Sequence, residues 1–160
     1  MHETRLLAVE DGHFAWMLGK GAAPTGLVLP PGGVEAPDIL KLLRRMTRRV
    51  HAAGSRGSWM IVSGNEIVGL CSYKQPPKDG QVEIGYGVAV SRRRLGHATR
   101  AVAAMLAYAA ADPQVRSVIA AIAADNPASS RAVEANGFAQ KGTVLDPDDG
   151  ELLLWRRDLA

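Results

Sequence analysis

Apolar positions divide the chain into short runs, which are typical of β-strands, and longer stretches at helical spacing. The runs predicted to be strands cover residues 4–9, 58–63, 67–74, 82–90, 115–123, 138–145 and 151–157. Helical spacing predicts helices at 13–18, 97–111 and 128–136, and a further helix that begins at Asp38 and ends at Gly54. We expect Asp11 to cap the first of these helices.

The order of these elements predicts the fold class. Strands joined by turn signals at 64–65 and 76–80 come first, and a strand–helix–strand–helix–strand segment follows. Antiparallel hairpins followed by alternating strands and helices indicate an α/β domain of three layers around a central mixed sheet. A chain of 160 residues has the length of one such domain, which we place over residues 1–160.

Composition and charge exclude several classes of protein. Hydrophobic residues make up 47% and charged residues 22%, which is usual for a globular chain and not for a disordered one. The net charge of +3 suits an anionic ligand but is too weak to indicate nucleic-acid binding. No apolar run approaches the ~20 residues of a membrane helix, and the first residues lack the order of a secretion signal. We therefore expect a cytoplasmic protein.

Cysteine and histidine usage gives no sign of a metal or a disulfide. Cys71 is the only cysteine, so an internal disulfide and a multi-cysteine zinc site are excluded. The four histidines show no metal-ligand spacing, and no metal is predicted. We expect Cys71 to be buried in its strand, and without a partnered base it disfavours covalent ping-pong chemistry.

The segment richest in chemistry joins a strand to the helix that follows it. The strand carries Gly85 and Gly87, which mark a bulge or a close backbone approach. A basic loop at 91–96 leads directly into the helix at 97–111, whose first N–H groups are suited to bind phosphate. Gly96 and Ala98 leave room for such a group. The alternative is an ordinary capped helix beside a solvated run of arginines.

This loop is neither of the two commonest phosphate loops, because it lacks Gly-x-x-x-x-Gly-Lys-Ser/Thr and Gly-x-Gly-x-x-Gly. Its sequence, Arg93-Arg94-Leu95-Gly96-His97-Ala98, resembles the pyrophosphate loop of the GNAT superfamily of acyl-CoA-dependent N-acyltransferases. Asn126-Pro127-Ala128-Ser129 and Glu134-Ala135-Asn136-Gly137-Phe138 resemble a second family segment. Thr4-Arg5-Leu6-Leu7 and Glu83-Ile84-Gly85-Tyr86 resemble the subgroup that includes ribosomal-protein N-terminal acetyltransferases. Residues 19–33 match nothing in the family pattern.

The resemblance implies a GNAT-type three-layer α/β/α fold and acetyl-CoA as cofactor. The mixed sheet is expected to splay after the strand that ends at Val90, with pantetheine in the gap. The residues expected to pair with pantetheine are Val88, Ala89 and Val90, with Asn126 and Ser129 on its far side. The residues expected at the pyrophosphate are Arg93, Arg94, Leu95, Gly96, His97, Ala98 and Thr99. We expect the His97 side chain itself to be exposed.

The implied reaction is direct transfer to a primary amine in a ternary complex. An alkyl amine has a pKa near ~10, so a general base must take its proton. Glu83 matches the position of a glutamate base in some relatives, and the alternative is a solvent-facing strand residue. The main-chain N–H of Val88, freed by a local bulge at Gly87, is the implied donor to the oxyanion.

The leaving thiolate has several candidate acids. Many relatives carry a tyrosine at the position of Val133, and this departure puts a tyrosine acid in doubt. Ser129 is expected to donate directly or to orient a water, and Tyr86 is the second candidate. A coenzyme A thiol is also acidic enough to need no side-chain acid.

The acceptor, a protein N-terminus or a small-molecule amine, is left open, as are the acyl chain and a homodimer. The early helices and the turn at 146–150 are expected to frame the acceptor site. A basic helix face, Lys41, Arg44, Arg45 and Arg48, indicates either a solvated surface or attraction for an acidic acceptor or RNA. No aromatic residues are interleaved with these basic residues, which disfavours binding of single-stranded nucleic acid. The rival to an enzyme is a GNAT fold that senses acyl-CoA without turnover.

Overall fold

A computed structural model describes residues 3–159, which form seven strands and four α-helices. The strands are β1 (Thr4–Ala8), β2 (Ser58–Ser63), β3 (Glu66–Tyr73), β4 (Gln81–Val88), β5 (Ser117–Ala123), β6 (Ala139–Asp146) and β7 (Gly150–Asp158). The helices are α1 (Asp11–Met17), α2 (Pro37–Ala52), α3 (His97–Ala110) and α4 (Pro127–Glu134). A short 3-10 turn, Val90–Arg92, separates β4 from α3. Each predicted element is present, with ends that differ by a residue or two.

The strands form one mixed sheet in the order β1-β2-β3-β4-β5-β7-β6. All neighbours are antiparallel except β4 and β5, which are parallel. The β4–β5 pairing covers only Gln81↔Ser117, Val82↔Val118 and Glu83↔Ile119, whereas β4 stays paired to β3 as far as Val88. The splayed sheet is thus confirmed, but the opening begins after Glu83, inside β4, and not at Val90.

Helices cover both faces of the sheet, and β2 shows why. Its side chains alternate with period two, so successive residues enter different cores. Trp59 and Ile61 belong to a core that includes residues of α3, whereas Met60 and Val62 belong to a core that includes residues of α1 and α2. A strand buried on both faces needs a layer on each side, and this gives the predicted three-layer architecture.

The contact between α1 and α2 corrects one prediction. Glu10, not Asp11, occupies the capping position of α1, in a capping box with His13. Asp11 instead binds Arg44 at 2.7 Å and Arg48 at 2.9 Å, both on α2. Hydrogen bonds from these two guanidinium groups hold the pKa of the Asp11 carboxyl well below its usual value. Two of the four residues of the basic face on α2 therefore hold two helices together and do not form a free cationic surface.

Residues 3–159 contain no helix long and apolar enough to cross a membrane. The same part of the chain holds no group of three or more histidine, cysteine, aspartate or glutamate side chains arranged to bind a metal ion.

Candidate active site

A cavity of about 460 Å³ lies where β4 and β5 separate. Its walls come from both helices of one layer, α1 and α2, from the loop before α2, from β2 to β5, and from the start of α4. A volume of several hundred Å³ suits a small-molecule site. The splay of the sheet therefore creates a site that reaches from one face of the sheet towards the other.

The edge of β4 that faces this gap presents unpaired main-chain groups. On the β3 side, the Lys74 N–H donates to the Glu83 carbonyl at 2.8 Å, and the Ala89 N–H donates to the Val68 carbonyl at 2.8 Å. Main-chain groups alternate between the two edges of an antiparallel strand. The residues whose N–H and C=O groups face the opened edge are Ile84, Tyr86 and Val88. An extended ligand can pair with this edge as an added strand would.

The predicted bulge in β4 is absent. The β3–β4 register runs without a shift from Ile84 to Val88. The Val88 N–H faces the gap because β5 has separated, and a distortion is not needed. Gly87 marks a close approach instead, because a Cβ atom at Gly69, its diagonal neighbour on β3, would collide with the Gly87 carbonyl oxygen.

One of the three residues predicted to pair with pantetheine cannot do so. The Ala89 N–H is bonded to Val68, and the Ala89 carbonyl accepts from the Arg92 N–H at 2.9 Å. Val88 keeps its N–H towards the gap, while its carbonyl accepts from Arg93 Nε at 3.1 Å. Val90 begins the 3-10 turn with an exposed side chain. The prediction therefore fails at Ala89 because its main-chain groups are already used.

The loop before α3, residues 91–96, has the geometry of an anion site, and we call it the anion loop. Gly96 is the N-terminal cap of α3 with φ +82°, a left-handed conformation that favours glycine, and it contributes no capping side chain. Within residues 3–159, the main-chain N–H groups from Arg94 to Thr99 have no protein acceptor, and Arg100 is the first of the helix to find one, the Gly96 carbonyl. These donors and the positive end of the helix converge on one point.

Side chains from β1, from α3 itself and from the turn after α4 hold this loop in place. Thr4 Oγ1 lies 3.1 Å from His97 Nδ1 and accepts from Arg100 Nε at 2.8 Å. Arg100 Nη2 also donates to the Leu95 carbonyl at 2.8 Å, and Asn136 Nδ2 donates to the Thr99 carbonyl at 2.9 Å. Except for the bond between Arg100 and Leu95, these contacts join residues far apart along the chain, so no sequence pattern predicts them.

The His97 side chain is buried, so the expectation that it is exposed is wrong. Only 6% of the residue is accessible, because its ring turns inward to Thr4 and Arg100. Burial, reinforced by the Arg100 charge, lowers the pKa of His97. Its contribution to anion binding is therefore its main-chain N–H and not its ring.

The three consecutive arginines have different roles. Arg92 forms a two-pronged ion pair with Glu66, in which Nη2 donates at 3.1 Å. Arg93 Nε donates a hydrogen bond to the Val88 carbonyl. Arg94 is exposed, has φ +66°, and makes no hydrogen bond or ion pair with any residue in 3–159. Among the three, Arg94 alone has no partner within residues 3–159, and Arg93, which bonds only a neutral carbonyl, also keeps its positive charge.

The far side of the gap is formed by the start of α4. Asn126 caps this helix by accepting from the Ser129 N–H at 3.3 Å, and both residues line the cavity. The Tyr86 hydroxyl donates to the Ser129 carbonyl at 2.7 Å, and burial raises the pKa of Tyr86. Val133, where many relatives carry tyrosine, is fully buried in the core next to α3.

Glu83 lies beside this cavity and not among the residues that line it. Its carboxylate pairs with Lys74 Nζ at 3.2 Å, and it lines a neighbouring cleft on the side of β5 and β7. Lys74 does line the cavity and lies across Gly85, where a Cβ atom would come within 3.0 Å of Lys74 Cε. Lys74 therefore lies between the predicted base and the cavity.

Sequence reasoning missed a carboxylate that the structure places at the cavity. Glu35 lines it, and its Oε2 lies 3.8 Å from the point that a Cβ atom on Gly87 would occupy. Glu35 follows the stretch 19–33 that matched no motif, and a lone glutamate in a loop has no spacing to reveal it. The apolar residues that recur at helical spacing in α2 form a stripe along this helix, and part of this stripe lines the cavity. These residues are Ile39, Leu42, Leu43 and Met46.

Cys71 is buried, as predicted, and burial raises the pKa of its thiol. A thiol held in its neutral form is a poor nucleophile. Although Cys71 reaches the cavity wall, the structure gives it no means of activation.

Comparisons of the sequence with known proteins agree with the geometry of this site. The sequence model of the GNAT acetyltransferase domain matches residues 31–139. The chain is 28% identical over 96 residues to the ribosomal-protein-serine acetyltransferase of Escherichia coli (strain K12). That stretch covers 59% of this chain and 54% of that protein, so the chain matches about half the length of this curated relative.

Solved structures share the fold over almost the whole chain. The ribosomal alpha-N-protein acetyltransferase RimL, in complex with coenzyme A, superposes with a TM-score of 0.73 at 19% identity and covers 98% of this chain and 94% of its own. A chimeric spermidine N-acetyltransferase from Vibrio cholerae and hSSAT gives a TM-score of 0.72 at 16% identity, covering 97% and 95%. With the family match over residues 31–139, the chain belongs to the GNAT acetyltransferases.

Proposed function

We propose that this protein transfers an acetyl group from acetyl-CoA to a primary amine, by direct attack in a ternary complex. One observation carries the proposal: the open edge of β4 lines the cavity as far as Gly87, and the chain leads from the end of β4 at Val88 through the turn Val90–Arg92 to the anion loop. An extended coenzyme arm on this edge would bring its end to an amine held in the cavity.

The residues present fit the coenzyme. The main-chain donors from Arg94 to Thr99 have no protein acceptor, and the Arg94 side chain beside them is free for an anion. When bound, acetyl-CoA supplies an activated acetyl group as a thioester. The chain binds the diphosphate, orients the arm along β4, and directs the Val88 N–H at the negative charge that develops on the carbonyl oxygen.

The transfer must account for two protons. The acceptor ammonium first loses one proton to a base, which leaves a neutral nitrogen able to attack. The C–N bond forms, the C–S bond breaks, and the electron pair leaves on sulfur. The second nitrogen proton neutralises the thiolate, either directly or through a water held by Ser129. The base predicted from the sequence is Glu83, and Lys74 stands between its carboxylate and the cavity.

A thiol-release assay with acetyl-CoA and a panel of primary amines tests the function. Turnover that requires both an amine and acetyl-CoA supports it. The rival is an acyl-CoA sensor, and it is supported if calorimetry detects coenzyme binding while no amine in a broad panel gives turnover. Transfer that proceeds through an acetylated protein without amine would contradict a ternary complex, which intact-mass spectrometry detects.

Four further predictions belong to this proposal. They are one domain over residues 1–160, a cytoplasmic location, a homodimer left open, and an acceptor that is either a protein N-terminus or a small molecule. The two cores on opposite faces of a single sheet support the first. The two ion pairs that bind Arg44 and Arg48 to Asp11 leave less free positive charge for RNA.

A further inference from the structure

We propose that the cavity selects an amine with one positive charge and an apolar body, and that Glu35 holds its ammonium group and receives its proton. This inference rests on the proposed acetyl transfer and names the substrate class and the base for it.

The position of Glu35 is the first observation. Its Oε2 lies 3.8 Å from the point that a Cβ atom on Gly87 would occupy, directly beside the residue whose N–H faces the gap. Glu83 is five residues before Val88 along the strand, which is about 16 Å at the usual rise per residue. Glu83 is also paired with Lys74. Of the two carboxylates, Glu35 is therefore the nearer to the Val88 N–H.

The Glu35 carboxylate is oriented by its surroundings. The preceding Val34 is buried in the core, and Pro31 is held by a 2.8 Å hydrogen bond from Ser91 in the turn after β4. The Ala36 N–H donates to Glu35 Oε1 at 3.0 Å. Because Oε1 accepts a hydrogen bond at the start of α2, Oε2 is the oxygen that faces Gly87. The loop is thus anchored at both the core and the anion loop.

The wall that α1 and α2 give to the cavity is apolar and incompletely covered. Ile39 is 38% exposed and Leu42 is 43% exposed, although both line a concave site. Leu43, Met46 and Phe14 continue the same wall. Large apolar side chains that remain accessible inside a cavity are suited to cover an apolar ligand. The chemistry of this wall fits a hydrocarbon or aromatic body next to the amine.

The charges of the cavity limit the ligand to one cation. Glu35 is the only carboxylate and Lys74 the only basic side chain among the described residues that line it. Lys74 is neutralised by Glu83 outside the cavity. A polyamine would bring further ammonium groups into an apolar site without partners, which is costly. An acidic acceptor would lie against Glu35. A monoamine satisfies the site with one ion pair.

In this arrangement Glu35 takes the first of the two protons. The ammonium of the bound amine transfers a proton to the Glu35 carboxylate, the neutral nitrogen attacks, and the released Glu35 proton passes to solvent after the C–S bond has broken. The second proton follows the path described above, so that one coenzyme A thiol and one proton are released per amide formed.

A matched amine panel tests the substrate class with the wild-type protein. The probes are phenethylamine, leucine amide, glycine amide and spermidine, with coenzyme A release as the readout. We expect kcat/KM for phenethylamine and leucine amide to exceed that for glycine amide by about tenfold or more, and spermidine to be the poorest. Equal efficiency for all four, or a preference for spermidine, would overturn the inference.

Substitution of Glu35 tests its role. We expect Glu35→Gln to lower kcat/KM by about a hundredfold or more, as loss of a general base does, and to leave coenzyme affinity unchanged. The residual activity should rise steadily with pH, because more of the amine is then neutral. Asp38→Asn, an exposed acid three residues along the same segment, removes the same charge away from the cavity and should retain activity. Equal rates and equal pH profiles in both variants would overturn the role of Glu35.

The outcomes separate this inference from the proposed function. If Glu83→Gln loses activity across the pH range while Glu35→Gln does not, the function stands and the inference fails. If the wild type binds coenzyme A but turns over no amine, the proposed function itself fails. Leu42→Asn gives a second check, since it should raise KM for phenethylamine severalfold and leave that for glycine amide almost unchanged.

Discussion

The Tyr86 hydroxyl donates a 2.7 Å hydrogen bond to the main-chain carbonyl of Ser129, across the gap where β4 and β5 have separated. The bond joins the open edge of β4 to the first turn of α4. Because both sides of the gap are proposed to contact the coenzyme arm, this bond sets its width. It also occupies the phenolic proton of Tyr86, and burial raises the pKa of that group. Tyr86 is therefore better suited to hold the gap than to protonate a thiolate.

Tyr86→Phe should lower the free energy of unfolding by about 1 kcal/mol, the usual net value of one hydrogen bond. Coenzyme affinity should fall severalfold, since the two walls are no longer fixed to each other. Urea denaturation and calorimetry measure the two effects. Tyr108→Phe is the control, because Tyr108 is a partly exposed tyrosine of α3 that does not line the gap. Unchanged affinity in Tyr86→Phe would contradict this role.

Gly96→Ala should weaken both stability and coenzyme binding. A left-handed conformation costs about 1–2 kcal/mol for a residue with a Cβ atom, and here that atom would also lie 2.6 Å from Arg100 Nη1. Displacing Arg100 releases the Leu95 carbonyl and loosens the anion loop. We expect about a tenfold loss of coenzyme affinity by calorimetry.

Gly54→Ala is the matched control for Gly96→Ala. Gly54 follows α2 with φ +84°, and a Cβ atom there would meet nothing within 4 Å. It should show a similar conformational cost in urea denaturation and no change in coenzyme affinity. A similar loss of affinity in both variants would mean that the loop geometry at Gly96 has no special role.

The order of the elements was predictable because short-range signals determine it. Apolar periodicity located the elements to within a residue or two, and turn residues such as Gly64 and Asn65 marked the hairpin. The anion loop was predictable for the same reason, since the glycine and the helix start are neighbours in sequence. The absence of a bulge in β4 and the hydrogen bond between the Ala89 N–H and Val68 were not predictable, because both depend on the register between two strands.

The residues on the acceptor side of the cavity could not be predicted from the sequence, for a different reason. They come from segments far apart in the chain, and none has a partner at a fixed spacing. Glu35 reaches Gly87 across more than fifty positions. The stripe of α2 could be recognised as apolar, but only the positions of the strands show that Ile39 and Leu42 face a cavity.

Arg94→Gln should lower coenzyme affinity severalfold at low salt, with a smaller effect at high salt, because an exposed cation acts through a screened charge. Stability should be nearly unchanged, since Arg94 makes no hydrogen bond within residues 3–159. Arg92→Gln should behave in the opposite way, losing stability through its ion pair with Glu66. Calorimetry at two salt concentrations and urea denaturation of both variants test this difference between Arg94 and Arg92. Identical behaviour of the two variants would contradict the separate roles.

His97 should make the stability of the fold depend on pH. Burial and the Arg100 charge lower its pKa in the folded protein, so the unfolded chain binds the proton more readily. The free energy of unfolding should therefore fall as the pH drops below about 6.5, the ordinary histidine value, and level off once the folded state is protonated too. His97→Gln should be less stable at pH 7.5 but should lose less on acidification to pH 5.5. Urea denaturation at both pH values measures the difference, with His51→Gln as control. A loss in His97→Gln as large as in the wild type would show that another group causes the acid sensitivity.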